Sequence, residues 1–478
     1  MLRSFMLPGL KRYLLIIAIS VAAIIFGVLW LFDKHPVMRI QKFVSEVISD
    51  TSNMMPKYVN GIIAISVGTV GILVCVARIT QNVLGAYLPE DRDSIPDVLY
   101  RRRYLDRGPK VVVVGGGTGL SNLLKGLKRY TNNITAIVTV GDDGGSSGRL
   151  RQEFGVLPPG DIRNCITALA DEDTLVTELF RYRFNAGKGL EGHSFGNLFI
   201  VALLAVTGGD IIKAARTASK ILNSSGQVLP STTSNLNLTA EFEDGTTITG
   251  ESAITEYGKR IKTISCEPAG PAAVQEAVEA VQEAELIILG PGSLYTSIIP
   301  NLLVPDIVAA IRESDARKMY VCNVLTQPGE TTDYTVGDHV EALLAHAGPV
   351  KTARGRLVSA VLVNDALTGK PNEVVVDADR IKEQGLTIIR RPLTSQDAPS
   401  HHDSVRLARA IMMWYFRVGR SRASRAAREA ASQRQTGGHR LSNITPPTAE
   451  SQSKASESNV ACDNLNDKIS IGKSNKRD

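Results

Sequence analysis

The 478-residue chain is poor in aromatic side chains, at 5% Phe, Trp and Tyr, and holds only five cysteines. These are Cys75, Cys165, Cys266, Cys322 and Cys462, widely scattered and without a Cys-x-x-Cys pair. That excludes a disulfide framework and the usual zinc spacings, and fits reduced thiols packed inside a cytoplasmic domain. The glycine loop after Val114 carries no Gly-Lys-Ser/Thr, so it is not a P-loop. The dinucleotide fingerprint also fails: counted from Gly115 the sixth residue is Leu120, and counted from Gly117 it is Asn122, neither of them small. A basic excess suited to nucleic acid is missing where it would matter. The net charge of +6 sits in the two ends, and residues 111–400 carry 26 Lys and Arg against 33 Asp and Glu. No Ser-His-Asp order stands out, which favours ligand sensing over catalysis.

What is present is organised around Val111–Arg149. Four consecutive valines, Val111–Val114, read as a strand covered on both faces. The glycines at 115, 116, 117 and 119 follow, then a helix from Ser121 to Tyr130, so free amides are delivered at a helix N-terminus, a ready site for phosphate. A second strand, Ile134–Val140, leads to the acid pair Asp142–Asp143 and another Gly-Ser turn. Strand, glycine loop, helix, strand and acid loop make half of a nucleotide-binding α/β unit.

Ahead of this unit lie two apolar runs, Leu14–Phe32 and Val59–Ala77, each 19 residues and close to the ~20 that cross a bilayer as a helix. A cleaved signal peptide is the rival reading of the first. Gly61, Gly68 and Gly71 suit close packing of two spans. Arg3, Lys11 and Arg12 precede the first run, and Arg78, Arg92, Arg101–Arg103 and Arg107 follow the second. The positive-inside rule then puts both flanks, and the main domain, in the cytoplasm of a two-span membrane protein. Arg101–Arg103 suit either anionic headgroups or a solvated linker.

Downstream of Gly108–Pro109 the elements alternate. Helices are expected from Asp161, over Leu198–Thr207 (apolar all round, hence a buried core helix), from Pro271, over Val304–Ser314 and around Asp338–Ala347. Strands are expected at Glu285–Leu289, Lys318–Val324, Val358–Val363 and Leu386–Arg390. Asp244–Gly245 marks a hairpin within Asn235–Ser252. This predicts an α/β domain over 108–400, Rossmann-like, with a mostly parallel sheet and helices on both faces, after a membrane anchor over 1–107. A basic amphipathic helix over 401–432 either docks on the domain or lies on the membrane. Residues 433–478, polar and poor in apolar side chains, are expected to be disordered.

The motifs GGGTGLS, TVGDDGGSSGRLR, PPGDIRN, GHSFGN, GESAI, LGPGSLYTSIIPNLLV and NVLTQPGETTDYTVGDHV, in this order over about 110–409, resemble the YvcK/CofD-like family of gluconeogenesis factors. The resemblance implies a Rossmann-like core and one of two activities. One branch, 2-phospho-L-lactate transferase, moves a phospholactyl-type group from a guanosine diphosphate carrier to a deazaflavin with Mg²⁺. The other binds UDP-sugars and supports cell shape and wall synthesis on gluconeogenic carbon. GDDGGSSGRLR and QPGETTDY are similar to the regulatory branch, whereas the apolar runs and arginine-rich tail depart from relatives that are mostly soluble.

Four polar loops each follow a strand, and in a parallel sheet such loops gather at one edge. Gly116, Gly117, Thr118 and Gly119 are candidates to offer amides to a diphosphate. Asp142 and Asp143 suit Mg²⁺, a ribose hydroxyl, or a turn cap. Ser146, Ser147 and Arg149 suit a second phosphate contact. Asp161, Arg163 and Asn164 read as base or sugar contacts or as a helix cap with a local ion pair, and His193 as a general acid or a structural hydrogen bond beside Asn197. Gly290, Gly292, Ser293 and Thr296 form a second phosphate or sugar loop, with Asn323, Gln327 and Glu330 lining the same cleft. His401–His402–Asp403 lies past the sheet and reads as surface. The expected partners are a UDP-sugar or other nucleotide diphosphate, the membrane, and a second copy of the chain in a homo-oligomer; nucleic acid is not among them.

Overall fold

The computed structural model describes residues 10–31, 57–87, 104–171, 174–348, 355–366 and 368–418. The chain divides into two units, Met1–Asp106 and Arg107–Asp478. In the first, helices Leu10–Leu31 and Lys57–Tyr87 pack along one another through small residues. A β-carbon added to Gly68 would fall 2.6 Å from the Ser20 carbonyl, and one added to Gly27 would fall 2.8 Å from that of Gly61. Leu15, Ile19, Ile62, Val67 and Leu73 point outward. Two spans are expected from the sequence; among the described residues one continuous helix is long and apolar enough to cross a bilayer, over Gly61–Arg78, and Leu15–Leu29 is a shorter apolar stretch. The whole segment between these helices, residues 32–56, together with Arg101–Arg103, Cys462 and the expected tail over 433–478, lies outside the described residues.

Among the described residues the second unit contains ten strands: β1 Val111–Gly115, β2 Ile134–Val138, β3 Gln227–Pro230, β4 Asn237–Phe242, β5 Thr247–Thr249, β6 Ile261–Glu267, β7 Leu286–Leu289, β8 Arg317–Val321, β9 Ala360–Asn364 and β10 Thr387–Arg391. Seven form one sheet in the order β10-β9-β8-β7-β1-β2-β3, every pair parallel. β1, β2 and β7 are buried at every position, as their unbroken apolar runs require. The Asp244–Gly245 hairpin joins β4 to β5 and belongs to a separate antiparallel sheet, β5-β4-β6. That sheet is inserted between β3 and β7.

Several boundaries differ from expectation. The first helix begins at Gly117, inside the glycine run, and ends at Leu127. The helix expected from Pro271 begins at Gln275, because Ala273 is extended and bridges Thr232. The apolar helix is Phe195–Val206, and it is not a core helix: Gly196, Asn197, Ile200 and Leu204 are buried, while Val206 is 82% exposed. The last helix, residues 404–418, docks on the domain. It buries Leu407, Ala408 and Ile411, its Tyr415 hydroxyl donates to Glu285 at 2.7 Å, and the Arg317 guanidinium lies 4.4 Å from the Tyr415 ring centre.

Candidate functional site

The parallel register brings the ends of neighbouring strands to one edge. Gly115 pairs with Val138, Val114 with Leu289, and Leu289 with Tyr320. Strand order reverses direction between β1 and β7, and a crevice opens where connections leave to opposite sides. A cleft of about 620 Å³ occupies this place. One lip is Gly116–Gly119 with Ser121, Asn122 and Lys125; the other is Pro291–Ser293 with Ser297. Asn323 and Gln327 close one end, and Ala398, Ser400, His401 and His402 form the remaining wall.

The lips fit closely. Gly117 has φ +67°, the left-handed region that favours glycine. A β-carbon on Gly119 would stand 2.7 Å from the Pro291 carbonyl oxygen, so the two loops can touch only without a side chain there. The Gly117 amide donates to Asp161 Oδ1 at 3.0 Å. The amides of Thr118 and Gly119, in the first helical turn, have no carbonyl one turn back to bond and are left for an anion. On the opposite lip, Asn323 grips Gly292 from both sides, accepting from its amide at 3.3 Å and donating to its carbonyl at 2.8 Å. Ser293 donates to Gln327 Oε1 at 2.8 Å. A single π-turn over Leu294–Ile298, in which the amides of Ser297 and Ile298 both bond the Ser293 carbonyl, puts Ser297 on the cleft. It also turns Thr296 to Glu330, to which it donates at 2.9 Å. Glu330 is buried and takes the Tyr295 amide as well, which makes it a brace behind the lip.

The other candidates gather beside this cleft and do not line it. Asp161 lies beneath the glycine loop, and burial together with the Asp142 charge raises its carboxyl to about 7. Glu251 is also raised to about 7, by burial and by Asp142 and Asp143. Asp143 accepts the amides of Glu251 and Ser252, both at 2.9 Å, and so caps the helix Glu251–Tyr257; metal coordination would compete with that cap. Among the described residues Asp142 accepts only its local turn amide, that of Gly144. Among the described residues no three metal-capable side chains gather into a ligand shell. A Mg²⁺ ion, held by one or two carboxylates plus the phosphates of a substrate, would have to draw on Asp142 with Asp161, whose charges interact.

Ser146, His193 and Asn197 form a buried network: Ser146 Oγ is 3.0 Å from His193 Nδ1 and accepts from Asn197 at 3.1 Å. Burial and the Arg149 charge lower the His193 pKa, so the ring is neutral at pH 7. Ser147 packs on Gly160, and Arg163 packs on Gly196. Asn164 sits half-buried in the helix Pro159–Leu169. Arg149 turns outward to the Glu191 carbonyl at 2.9 Å, away from the cleft. The arginine that faces the acids is Arg151, buried and bonded to Leu236 O and Asn237 Oδ1, both at 2.6 Å.

His401–His402–Asp403 is not plain surface. His402 is 9% exposed and lines the cleft, its carbonyl accepts from Asn122, and its Nε2 has no partner among the described residues. Burial lowers its pKa to about 4. Sequence reasoning missed Lys125, Arg151, Ser297 and the 398–402 wall. Lys125 was legible in principle, because it lies one helical turn from Ser121 and two from Thr118, on one face. The 398–402 wall follows the last strand of the sheet, and nothing local in its sequence says that it folds back.

The family model described as 2-phospho-L-lactate transferase CofD matches residues 111–394. A Nostoc sp. protein, also named as a gluconeogenesis factor, is 46% identical over 85% of this chain and 91% of its own length. Residues 111–478 alone cannot supply that coverage, so the likeness reaches into the N-terminal unit. The Bacillus subtilis gluconeogenesis factor is 46% identical over 64% of this chain and 97% of its own. The crystal structure of a UPF0052 family protein from Bacillus halodurans superposes with a TM-score of 0.60 at 43% identity, covering 64% of this chain and 99% of that one.

Proposed function

Because this chain belongs to the CofD family, with gluconeogenesis factors among its relatives, we propose that its cleft binds a nucleotide-diphosphate-linked metabolite of the UDP-sugar class. In this reading the protein is a regulator that matches carbon flow into the cell envelope to gluconeogenic growth. Its N-terminal helices hold it in the cell membrane, with the α/β domain in the cytoplasm. One observation carries the reading: Thr118 and Gly119, in the first turn of a helix, line a cleft at the β1/β7 switch point together with Gly292 and Ser293. A diphosphate between the lips would take amide hydrogen bonds from one and the Ser297 hydroxyl on the other, with Ser293 held back by Gln327 and Lys125 offsetting the charge. The wall with His401 and His402 is left for the sugar or base. Calorimetry of the full chain with UDP-N-acetylglucosamine is expected to give saturable heat. No heat at millimolar ligand sinks the reading.

A second reading, transfer of a group from a nucleotide-diphosphate donor, is favoured by the raised carboxyls of Asp161 and Glu251 beside Asp142. Carboxylates held in mutual repulsion are relieved by a divalent cation. Asp142 and Asp161 would hold Mg²⁺, which would neutralise charge on the diphosphate. The chain's own contribution would be to orient the donor with the glycine amides and to exclude water with the 398–402 wall. Incubation with a phospholactyl-guanosine diphosphate donor, a deazaflavin acceptor and Mg²⁺ tests this; absence of a charged deazaflavin product removes it.

A further inference from the structure

A second pocket, of about 560 Å³, lies at the far edge of the seven-stranded sheet, where β10 is the outermost strand. One wall is Ile388–Arg391 on β10, and the other is Ala410, Met413, Trp414 and Arg417 on the last helix, with Lys382 at the rim. Its lining holds four cations, Lys382, Arg390, Arg391 and Arg417, and no carboxylate. Lys382 pairs with Asp379 at 3.2 Å, whereas Arg390, Arg391 and Arg417 have no ion pair among the described residues. Arg391 donates to the carbonyl of Arg390 and to no acid.

The helix that forms this wall presents two apolar faces. Leu407, Ala408 and Ile411 are buried against the domain; Met413 and Phe416 are 47% and 48% exposed, next to the half-buried Trp414 and to Arg417. Exposed aromatic and thioether groups beside unpaired guanidinium groups suit a boundary that is apolar on one side and anionic on the other. A soluble phosphate has no use for Met413 and Phe416. Residues 111–400 are acidic overall, with 33 acids against 26 basic residues, so a carboxylate-free basic patch is where an anionic surface would be accepted most readily. The same chain carries a helix long and apolar enough to cross a bilayer, and its sequence continues past the patch with Arg420, Arg422, Arg425 and Arg428.

We propose that the pocket between β10 and the last helix is a headgroup site for an anionic phospholipid, seating this edge of the domain on an anionic leaflet. The proposal is independent of what fills the cleft at the β1/β7 edge.

The chain has two tryptophans, so Trp30→Phe leaves Trp414 as the only indole. The full chain carrying that change is placed in lipid nanodiscs, with bromine on the acyl chains of either phosphatidylglycerol or phosphatidylcholine. Trp414 emission is expected to be quenched by the brominated anionic lipid well before the zwitterionic one. Each arginine removed, as Arg390→Gln or Arg417→Gln, is expected to raise the anionic fraction needed for half-quenching on the order of fivefold, the equivalent of about 1 kcal/mol per charge near the surface. Arg390→Lys keeps the charge and is expected to keep the quenching. Equal quenching by both lipids overturns the proposal. So do glutamine variants that melt like the parent and quench unchanged, or inorganic phosphate reproducing the emission change in wholly zwitterionic discs, which would mark a soluble-anion site.

Discussion

The Gly117 amide and the Asp161 carboxylate, 44 residues apart in the chain, are joined by a hydrogen bond of 3.0 Å. The first amide of the glycine-loop helix is thus taken by a buried carboxyl, and under the proposed function a ligand phosphate would have to come to Thr118 and Gly119. Asp161 stands at about 7, above the ordinary 3.8, so the folded chain keeps this proton to higher pH than the unfolded one. Its contribution to stability is complete below pH ~4 and is lost as pH rises towards 7. Asp161→Asn keeps the acceptor and removes the titration. It is expected to leave stability near pH 4 unchanged and to raise it at pH 8 by up to a few kcal/mol. Urea unfolding in metal-free buffer at the two pH values checks this; parallel pH trends in parent and variant refute it.

His402 contributes with the opposite sign. Its folded pKa is about 4, below the ordinary 6.5, so its contribution is full above pH ~6.5 and is lost as pH falls towards 4. His402→Gln is expected to flatten the acid limb of the stability profile and to weaken ligand binding at pH 7, where the imidazole is neutral. Unfolding midpoints at pH 5 and 7, with calorimetry at pH 7, separate the two effects.

At Gly119 the limit is space. An alanine β-carbon would meet Pro291 oxygen at 2.7 Å and Pro291 carbon at 2.9 Å, both backbone atoms that cannot swing away. Gly119→Ala is expected to cost about 1–3 kcal/mol of stability by overpacking and to remove the calorimetric signal of ligand. A variant that binds as the parent does would show that the lips need not touch.

The two adjacent aspartates are expected to part company. Asp143→Ala removes the cap on the Glu251 and Ser252 amides and is expected to cost about 1 kcal/mol, with Mg²⁺ binding retained. Asp142→Asn removes a charge that adds to burial in raising Asp161 and Glu251 and, under the transfer reading, is expected to abolish Mg²⁺ binding with little loss of stability. Thermal melts with Mg²⁺ titrations of both variants decide it.

The parallel sheet was legible because β1, β2 and β7 are short and apolar throughout, and each runs into a glycine or acid loop. The same regularity placed the lips of the cleft at one edge. β3 and β6 were missed, since Gln227–Pro230 is brief and in Ile261–Glu267 the adjacent polar residues Lys262 and Thr263 break the alternation. The apolar pattern of Phe195–Val206 misled, because composition reports what a helix could bury, not what tertiary packing covers. Side-chain direction was the least legible feature. In GSSGRLR, Arg149 and Arg151 look interchangeable, yet two positions of helix rotation send one to solvent and the other to the acids.

The lips of the cleft are written far apart: Gly116–Gly119 come near the start of the domain, and Pro291–Ser293 follow only after the inserted β5-β4-β6 sheet. The 398–402 wall comes later still. During synthesis the early lip therefore emerges with nothing opposite it, and a chain halted before β7 has half a grip on its ligand. Under the proposed function, ligand capture would be a property of a finished domain, and stabilisation by ligand would act only on chains that have already folded through to residue 402.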